Sequence, residues 1–340
     1  MAADEGAARE YVLGDVSLIS GAVLRDARIV YKTYGELNLA RDNVVVLPTF
    51  YTGTHARNEG FFGAGRAIDP ARHFIVSVNM FGNAVSSSPS NAHQSCSAAD
   101  FPGVSLYDNI ACQYRLLSEC LRVEALALVA GWSMAGCQAF QWAVQYPHFV
   151  KAIVPFCGSA RVSVHNHVFL EGVKAALQAD QAFAAGNYST QPVTGLKAFG
   201  RVYAGWAYSQ TFFRDGLYRR LGYANAEALL CAWEQDHAHN WDANDLLAML
   251  WTWQHADVSL NTGFNGDLAV ALASIEAKSI VIACSDDLYF PPADSALEVA
   301  AMRNAQLRVF DSPWGHCVAS PGNEPRFHEF LDTAFAEVLN

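Results

Sequence analysis

The stretch that most restricts the fold is Leu126–Phe140, Leu-Ala-Leu-Val-Ala-Gly-Trp-Ser-Met-Ala-Gly-Cys-Gln-Ala-Phe. An apolar run leads into a turn of small residues, and helical spacing follows. Gly131-Trp132-Ser133-Met134-Ala135 is the G-x-S-x-G pattern with alanine in the last place. The small residues let a strand and a helix meet almost backbone to backbone, and the serine hydroxyl stands at the strand's tip. N–H groups opening the helix then face any negative charge that develops there. No Asp, Glu, Lys or Arg occurs from Ala125 to Val150, yet Gly131, Gly136, Gln138, Gln141, Gln145 and Pro147 break the span too often for a membrane helix.

The flanks repeat the strand–helix rhythm. Asn43–Pro48, Phe74–Asn79, Ala152–Cys157 and Lys278–Cys284 are continuous apolar runs, the pattern of strands buried on both faces. Ala27–Tyr34 and Gln306–Phe310 add two more strands, and Tyr107–Leu121 and Glu324–Leu339 carry helical spacing. Between about Val162 and Asp267 the rhythm changes to helices with aromatic clusters such as Val202-Tyr203-Ala204-Gly205-Trp206. The expected fold is therefore α/β, a mostly parallel central sheet flanked by helices, with an inserted helical cap. The expected division is 1–162 for the first part of the core, 163–267 for the cap and 268–340 for the second part of the core.

At 340 residues, with 52% hydrophobic and 16% charged, the chain has enough material for a large core and an inserted unit. A formal net charge of −11 argues against nucleic acid or an anionic membrane as a partner. Residues 1–10 are alanine-rich and acidic without an apolar centre, so no leader is expected. Eight scattered cysteines without a C-x-x-C pair predict reduced thiols in a cytoplasmic protein.

Two further strand ends supply what a serine nucleophile needs. The strand ending at Cys284 runs into Ser285-Asp286-Asp287-Leu288-Tyr289, and the next one into Trp314-Gly315-His316-Cys317. Serine attacks well only when a neutral imidazole takes its proton, and a carboxylate fixes the tautomer of that imidazole. The order Ser133, then Asp286 or Asp287, then His316 places each group at the end of a different strand. Position alone leaves both aspartates open. The oxyanion hole is expected from the backbone N–H groups of Met134 and of Tyr51, in the loop after Pro48. Phe50, Tyr51, Trp132 and Met134 would make the acyl pocket small and apolar, suited to a short acyl group. Asp236-His237-Ala238-His239 and His165-Asn166-His167 have metal-like spacing but no third ligand close by, so they are read as polar, exposed cap segments. Neither a metal nor another cofactor is expected.

Tyr31-Lys32-Thr33-Tyr34-Gly35, Gly131-Trp132-Ser133-Met134, Asp286 with Leu288, Tyr289 and Pro291, and Gly315-His316 together resemble the homoserine O-acetyltransferase family of the α/β-hydrolase superfamily. The resemblance runs from about residue 25 to the C-terminus, cap included. It implies acyl transfer through an acyl-serine, a helical lid and a homodimer formed through that lid. The acid motif of the family, Asp-x-Leu-aromatic-x-Pro, implies that Asp286 is the triad acid. The pair that meets the homoserine carboxylate is implied at Arg201 and Tyr208. One position departs from the pattern. Where the transferases carry an aspartate after the histidine, to hold the amino group of homoserine, this chain has Cys317. The expected activity is therefore that of the family's esterase branch, with a small-molecule substrate, a short-chain acetate-type ester whose acyl-serine is resolved by water. Homoserine O-acetyl transfer from acetyl-CoA is the alternative.

Overall fold

The computed structural model describes residues 7–92, 98–320 and 322–340, so Cys96 and residues 1–6 lie outside the described residues. In chain order the core opens with strands β1 (Arg9–Ser17), β2 (Val23–Tyr34), β3 (Val44–Pro48) and β4 (Phe74–Val78). Helix α1 (Leu106–Arg115), strand β5 (Leu126–Trp132), helix α2 (Met134–Gln145) and strand β6 (Ala152–Phe156) follow. The next helices are α3 (Val164–Gln178), α4 (Val193–Ala207), α5 (Gln210–Arg214), α6 (Ala226–Asn240), α7 (Ala243–Gln254) and α8 (Leu268–Ala273). The chain closes through β7 (Lys278–Cys284), α9 (Pro292–Ala301), β8 (Ala305–Phe310) and α10 (Pro325–Leu339). The strands form one eight-stranded sheet in the order β1-β2-β4-β3-β5-β6-β7-β8. Only the β1–β2 and β2–β4 pairs are antiparallel.

The central strands are apolar because both faces are covered. Every residue of β3 and β6 is buried, as is nearly all of β5. Helix α2 sinks into the same core, with Phe140 and Trp142 fully enclosed. Side chains of that size contribute roughly 2–3 kcal/mol each through burial. The charge-free span of the sequence is thus β5 and α2. No helix among the described residues is long and apolar enough to cross a membrane.

Helices α3 to α7 are inserted between β6 and β7 and stand over the C-terminal edge of the sheet, where α/β folds bind their ligands. The two ends of this excursion are tied together. Arg161 bonds Asp257 at 2.5 Å and reaches the Ser259 hydroxyl at 2.7 Å and the Gly266 carbonyl at 2.8 Å. Beside this tie, Glu298 of α9 accepts the N–H groups of Ala160 at 2.7 Å and Arg161 at 3.3 Å on Oε1. Its Oε2 is buried with no hydrogen-bond partner among the described residues.

Burial pushes the Glu298 carboxyl up to about 8 from its ordinary 4.5. Between those values the folded state holds a proton that the unfolded chain has released. The contribution of Glu298 to stability is thus complete below the lower value, declines with rising pH, and is gone above the upper one. Glu298→Gln keeps the acceptor for Ala160 without the titration. Its melting temperature should fall less than that of the wild type between about pH 5 and pH 9. Thermal denaturation of both proteins across that range is the check, and parallel profiles would contradict the assignment.

Candidate active site

The elbow forms as its residue sizes require. A Cβ on Gly131 would lie 2.3 Å from the Cβ of Ala135, and one on Gly158 would lie 2.6 Å from the Ser133 carbonyl oxygen. Helix α2 therefore rests directly on β5 and β6. Ser133, between strand and helix, is held at φ 60° and ψ −127°, a conformation that costs an L-residue about 1–3 kcal/mol. Its own N–H donates to the Phe156 carbonyl at 3.0 Å, which fixes the turn to β6.

Three side chains from three strand ends meet here. The Ser133 hydroxyl lies 2.9 Å from His316 Nε2, and His316 Nδ1 lies 2.8 Å from Asp287 Oδ2. All three residues are buried. The His316 ring is clamped by aromatic neighbours, with Trp132 stacked at 5.3 Å and Tyr289 edge-on at 4.7 Å between ring centres. Trp132 also donates its indole N–H to the His316 carbonyl at 3.2 Å. The imidazole is therefore held in place by packing as well as by its two hydrogen bonds.

The carboxylate on the histidine is Asp287, and the expectation of Asp286 is corrected. After β7 the chain turns so that the Asp287 N–H donates to the Cys284 carbonyl at 3.2 Å. This turn sends the Asp287 side chain inward. Its Oδ1 accepts from the N–H groups of Tyr289 at 2.8 Å and Phe290 at 3.2 Å, leaving Oδ2 for the imidazole. Asp286 is half-buried, and among the described residues its carboxylate accepts from the neighbouring Ser285 hydroxyl at 3.4 Å.

A cavity of about 310 Å³ opens above the serine, between the sheet edge and the inserted helices. Phe50, Tyr51, Trp132, Ser133, His316 and Cys317 line it from the core, and Tyr203, Tyr208, Trp233 and His237 roof it from α4, the segment after it and α6. Met134 is the first residue of α2, so its N–H has no partner within the helix. Tyr51 follows β3, and its ring leaves the backbone toward α7, donating to the Leu246 carbonyl at 3.1 Å.

Arg201 does not reach the cavity. Its guanidinium grips Glu227 through two bonds of 2.6 and 3.0 Å and pairs with Glu234 as well. The expectation that it binds substrate is therefore corrected, because α6 brings two carboxylates against it. Tyr208 does line the cavity, stacked on Phe212 with ring centres 4.1 Å apart. Cys317 stands opposite Tyr208, and burial pushes its thiol up to about 12, so it carries no charge at neutral pH.

The two histidine segments differ from expectation in one respect. His165 is exposed and His239 bonds its own helix at the Gln235 carbonyl, but His237 is buried in the cavity roof. Its Nδ1–H donates to the Trp233 carbonyl at 2.8 Å, and burial lowers its pKa, favouring the neutral ring. No three potential metal ligands gather among the described residues. Sequence reasoning missed His237, Tyr203 and Trp233 as lining residues. The one available sign was the aromatic clustering of the cap.

Comparison with known proteins agrees with this architecture. Residues 42–321 match the α/β hydrolase fold family. An ethyl acetate hydrolase of Pseudomonas veronii is 35% identical over 331 residues, 96% of this chain and 94% of that protein. The solved structure of the acetyl esterase MekB superposes with a TM-score of 0.94 at 35% identity, covering 99% of this chain and 97% of that one. A homoserine O-acetyltransferase of Trichormus variabilis is 29% identical over 88% of this chain and 86% of its own length. The chain belongs to the α/β-hydrolase family, in the group that contains both acetyl esterases and homoserine O-acyltransferases.

Proposed function

We propose that the protein is a serine esterase that hydrolyses short-chain, acetate-type esters through an acyl-serine intermediate. The observation that carries this reading is the hydrogen-bonded sequence Ser133, His316, Asp287 at the floor of the cavity. Ser133 Oγ attacks the ester carbonyl carbon as His316 Nε2 takes its proton. The negative oxygen that forms is met by the backbone N–H groups of Met134 and Tyr51. Collapse of this intermediate expels the alcohol, which takes the proton from His316 and leaves Ser133 acylated. Water, deprotonated by the same imidazole, then releases the acid and restores the serine. Asp287 holds the Nδ1–H tautomer throughout and stabilises the transient imidazolium.

Two features favour water over homoserine as the second acceptor. Cys317 offers a neutral thiol where an ammonium group would need a carboxylate. Arg201, which would have met the carboxylate, is already paired with Glu227 and Glu234. The buried rings of Phe50 and Trp132 beside the serine suit a small acyl group. In this reading residues 163–267 serve as the lid, and the family resemblance extends it to a cytoplasmic homodimer paired through that lid.

A paired assay on one preparation tests the reading. Hydrolysis of acetate, butyrate and octanoate esters is followed beside homoserine-dependent release of CoA from acetyl-CoA. The expected result is fastest turnover of acetate and no CoA release. Homoserine acetylation much faster than ester hydrolysis would overturn the reading in favour of the transferase.

A further inference from the structure

One charged group at the cavity has no place in the chemistry above. Arg57 lies on the short 3-10 helix after β3 (His55–Phe61) and lines the cavity with its side chain exposed. Its guanidinium sits over the ring of Phe50, 5.7 Å from the ring centre. Phe50 in turn packs on Trp132 at 4.7 Å, next to the serine. The guanidinium is also close enough to Cys317, the neighbour of His316, for its charge to act on that thiol.

Arg57 has no carboxylate partner among the described residues. Nearby Glu59 is taken by Lys32 at 3.0 Å and Tyr34 at 2.6 Å, and Asp287 is taken by His316. The other ionised residue lining the cavity is Asp236 on α6, whose Oδ1 accepts the Asn240 amide at 2.8 Å. A guanidinium left free in this way recognises planar anions, carboxylate first, through charge-assisted bonds. In the esterase reading the acyl end of a substrate lies at Ser133 beside the buried rings of Phe50 and Trp132. In a substrate seated this way the alcohol end is the part free to extend toward the exposed Arg57.

We propose that Arg57 makes this cavity selective for short esters whose alcohol portion carries a carboxylate. The proposal rests on the esterase reading and refines its substrate class. Asp236 opposes such a substrate by like charge, so the carboxylate lies at the exposed Arg57 rim of the cavity, away from α6. Arg57 is a specificity residue here, without a part in the bond-making steps.

The test compares γ-acetoxybutyrate with its neutral amide, γ-acetoxybutyramide, as substrates of the full-length protein. The wild type should favour the anion by about tenfold in kcat/KM, and the preference should shrink at about 0.5 M salt. Arg57→Gln should abolish the preference and Arg57→Lys should restore part of it, since a point charge remains without the two-pronged geometry. Asp236→Asn should increase it, a change of opposite sign that does not depend on how the arginine variants fold. Monoethyl succinate places the carboxylate on the acyl side and should be a poor substrate. Equal turnover of the acid and the amide overturns the proposal while leaving the esterase reading intact, and so does a preference that survives Arg57→Gln. Selection of monoethyl succinate over γ-acetoxybutyrate overturns the assignment to the alcohol end. Failure to hydrolyse any of these esters would instead remove the esterase reading on which the proposal stands.

Discussion

Ser133→Ala should lower kcat/KM for a short acetate ester by about 10⁴-fold or more, with little change in melting temperature. The loss is large because no other group can form the acyl intermediate. Cys317 is a neutral thiol held up at about 12 by burial, and it does not bond His316. The fold should survive because alanine keeps the Cβ already accommodated at φ 60° and keeps the N–H that bonds Phe156. Only the hydrogen bond from Ser133 Oγ to His316 Nε2 disappears, and that nitrogen borders the cavity, where water can replace it. Residual activity should resemble what oxyanion stabilisation alone provides. The comparison requires kinetics and thermal denaturation on the same preparations. A variant that folds normally and keeps wild-type turnover would remove Ser133 from the mechanism.

The second large effect separates two adjacent aspartates. Asp287→Asn should reduce kcat by about 10⁴-fold, whereas Asp286→Asn should stay within about threefold of the wild type. The reason lies in how Asp287 is bonded. Its Oδ1 is fixed by the N–H groups of Tyr289 and Phe290, so an asparagine keeps its oxygen there and turns its NH₂ toward His316 Nδ1. The imidazole must then accept at Nδ1 and carry its proton on Nε2. A protonated Nε2 cannot take the proton of Ser133. Among the described residues the Asp286 carboxylate bonds the Ser285 hydroxyl and not the imidazole, which is held by Asp287, so its amide should leave the histidine unchanged. Steady-state kinetics of the two variants side by side gives the answer, and a greater loss at Asp286 would contradict the geometry.

These two residues also mark where sequence reading reaches its limit. The elbow was legible because its small residues answer a steric demand that the chain states directly, as at Gly131 against Ala135. Strands β3, β5, β6 and β7 were legible because burial on both faces writes a continuous apolar run. Strand β1 was not. It is a largely exposed edge strand with irregular register around Gly14, so its alternation is weak. Motif spacing placed the acid one residue too early, because the turn bonded to the Cys284 carbonyl decides which of two neighbouring carboxylates faces inward. Arg201 kept the residue type of a ligand, yet helix packing gave it to Glu227 and Glu234, far away in sequence. His237 read as polar surface because the enabling feature is on another helix. A Cβ at Gly200 of α4 would stand 2.9 Å from its Nδ1, so only glycine admits the ring so close.

The most direct test of the account is covalent. Incubation with diethyl p-nitrophenyl phosphate, which phosphorylates activated serines, is followed by intact-mass and peptide mass spectrometry alongside ester hydrolysis. The account predicts one diethylphosphoryl group per chain, on Ser133, with activity lost in proportion to labelling and no labelling of Ser133→Ala or Asp287→Asn on the same timescale. Full activity after incubation would contradict the account, and so would inactivation by a modification mapped to Cys317 or any residue other than Ser133.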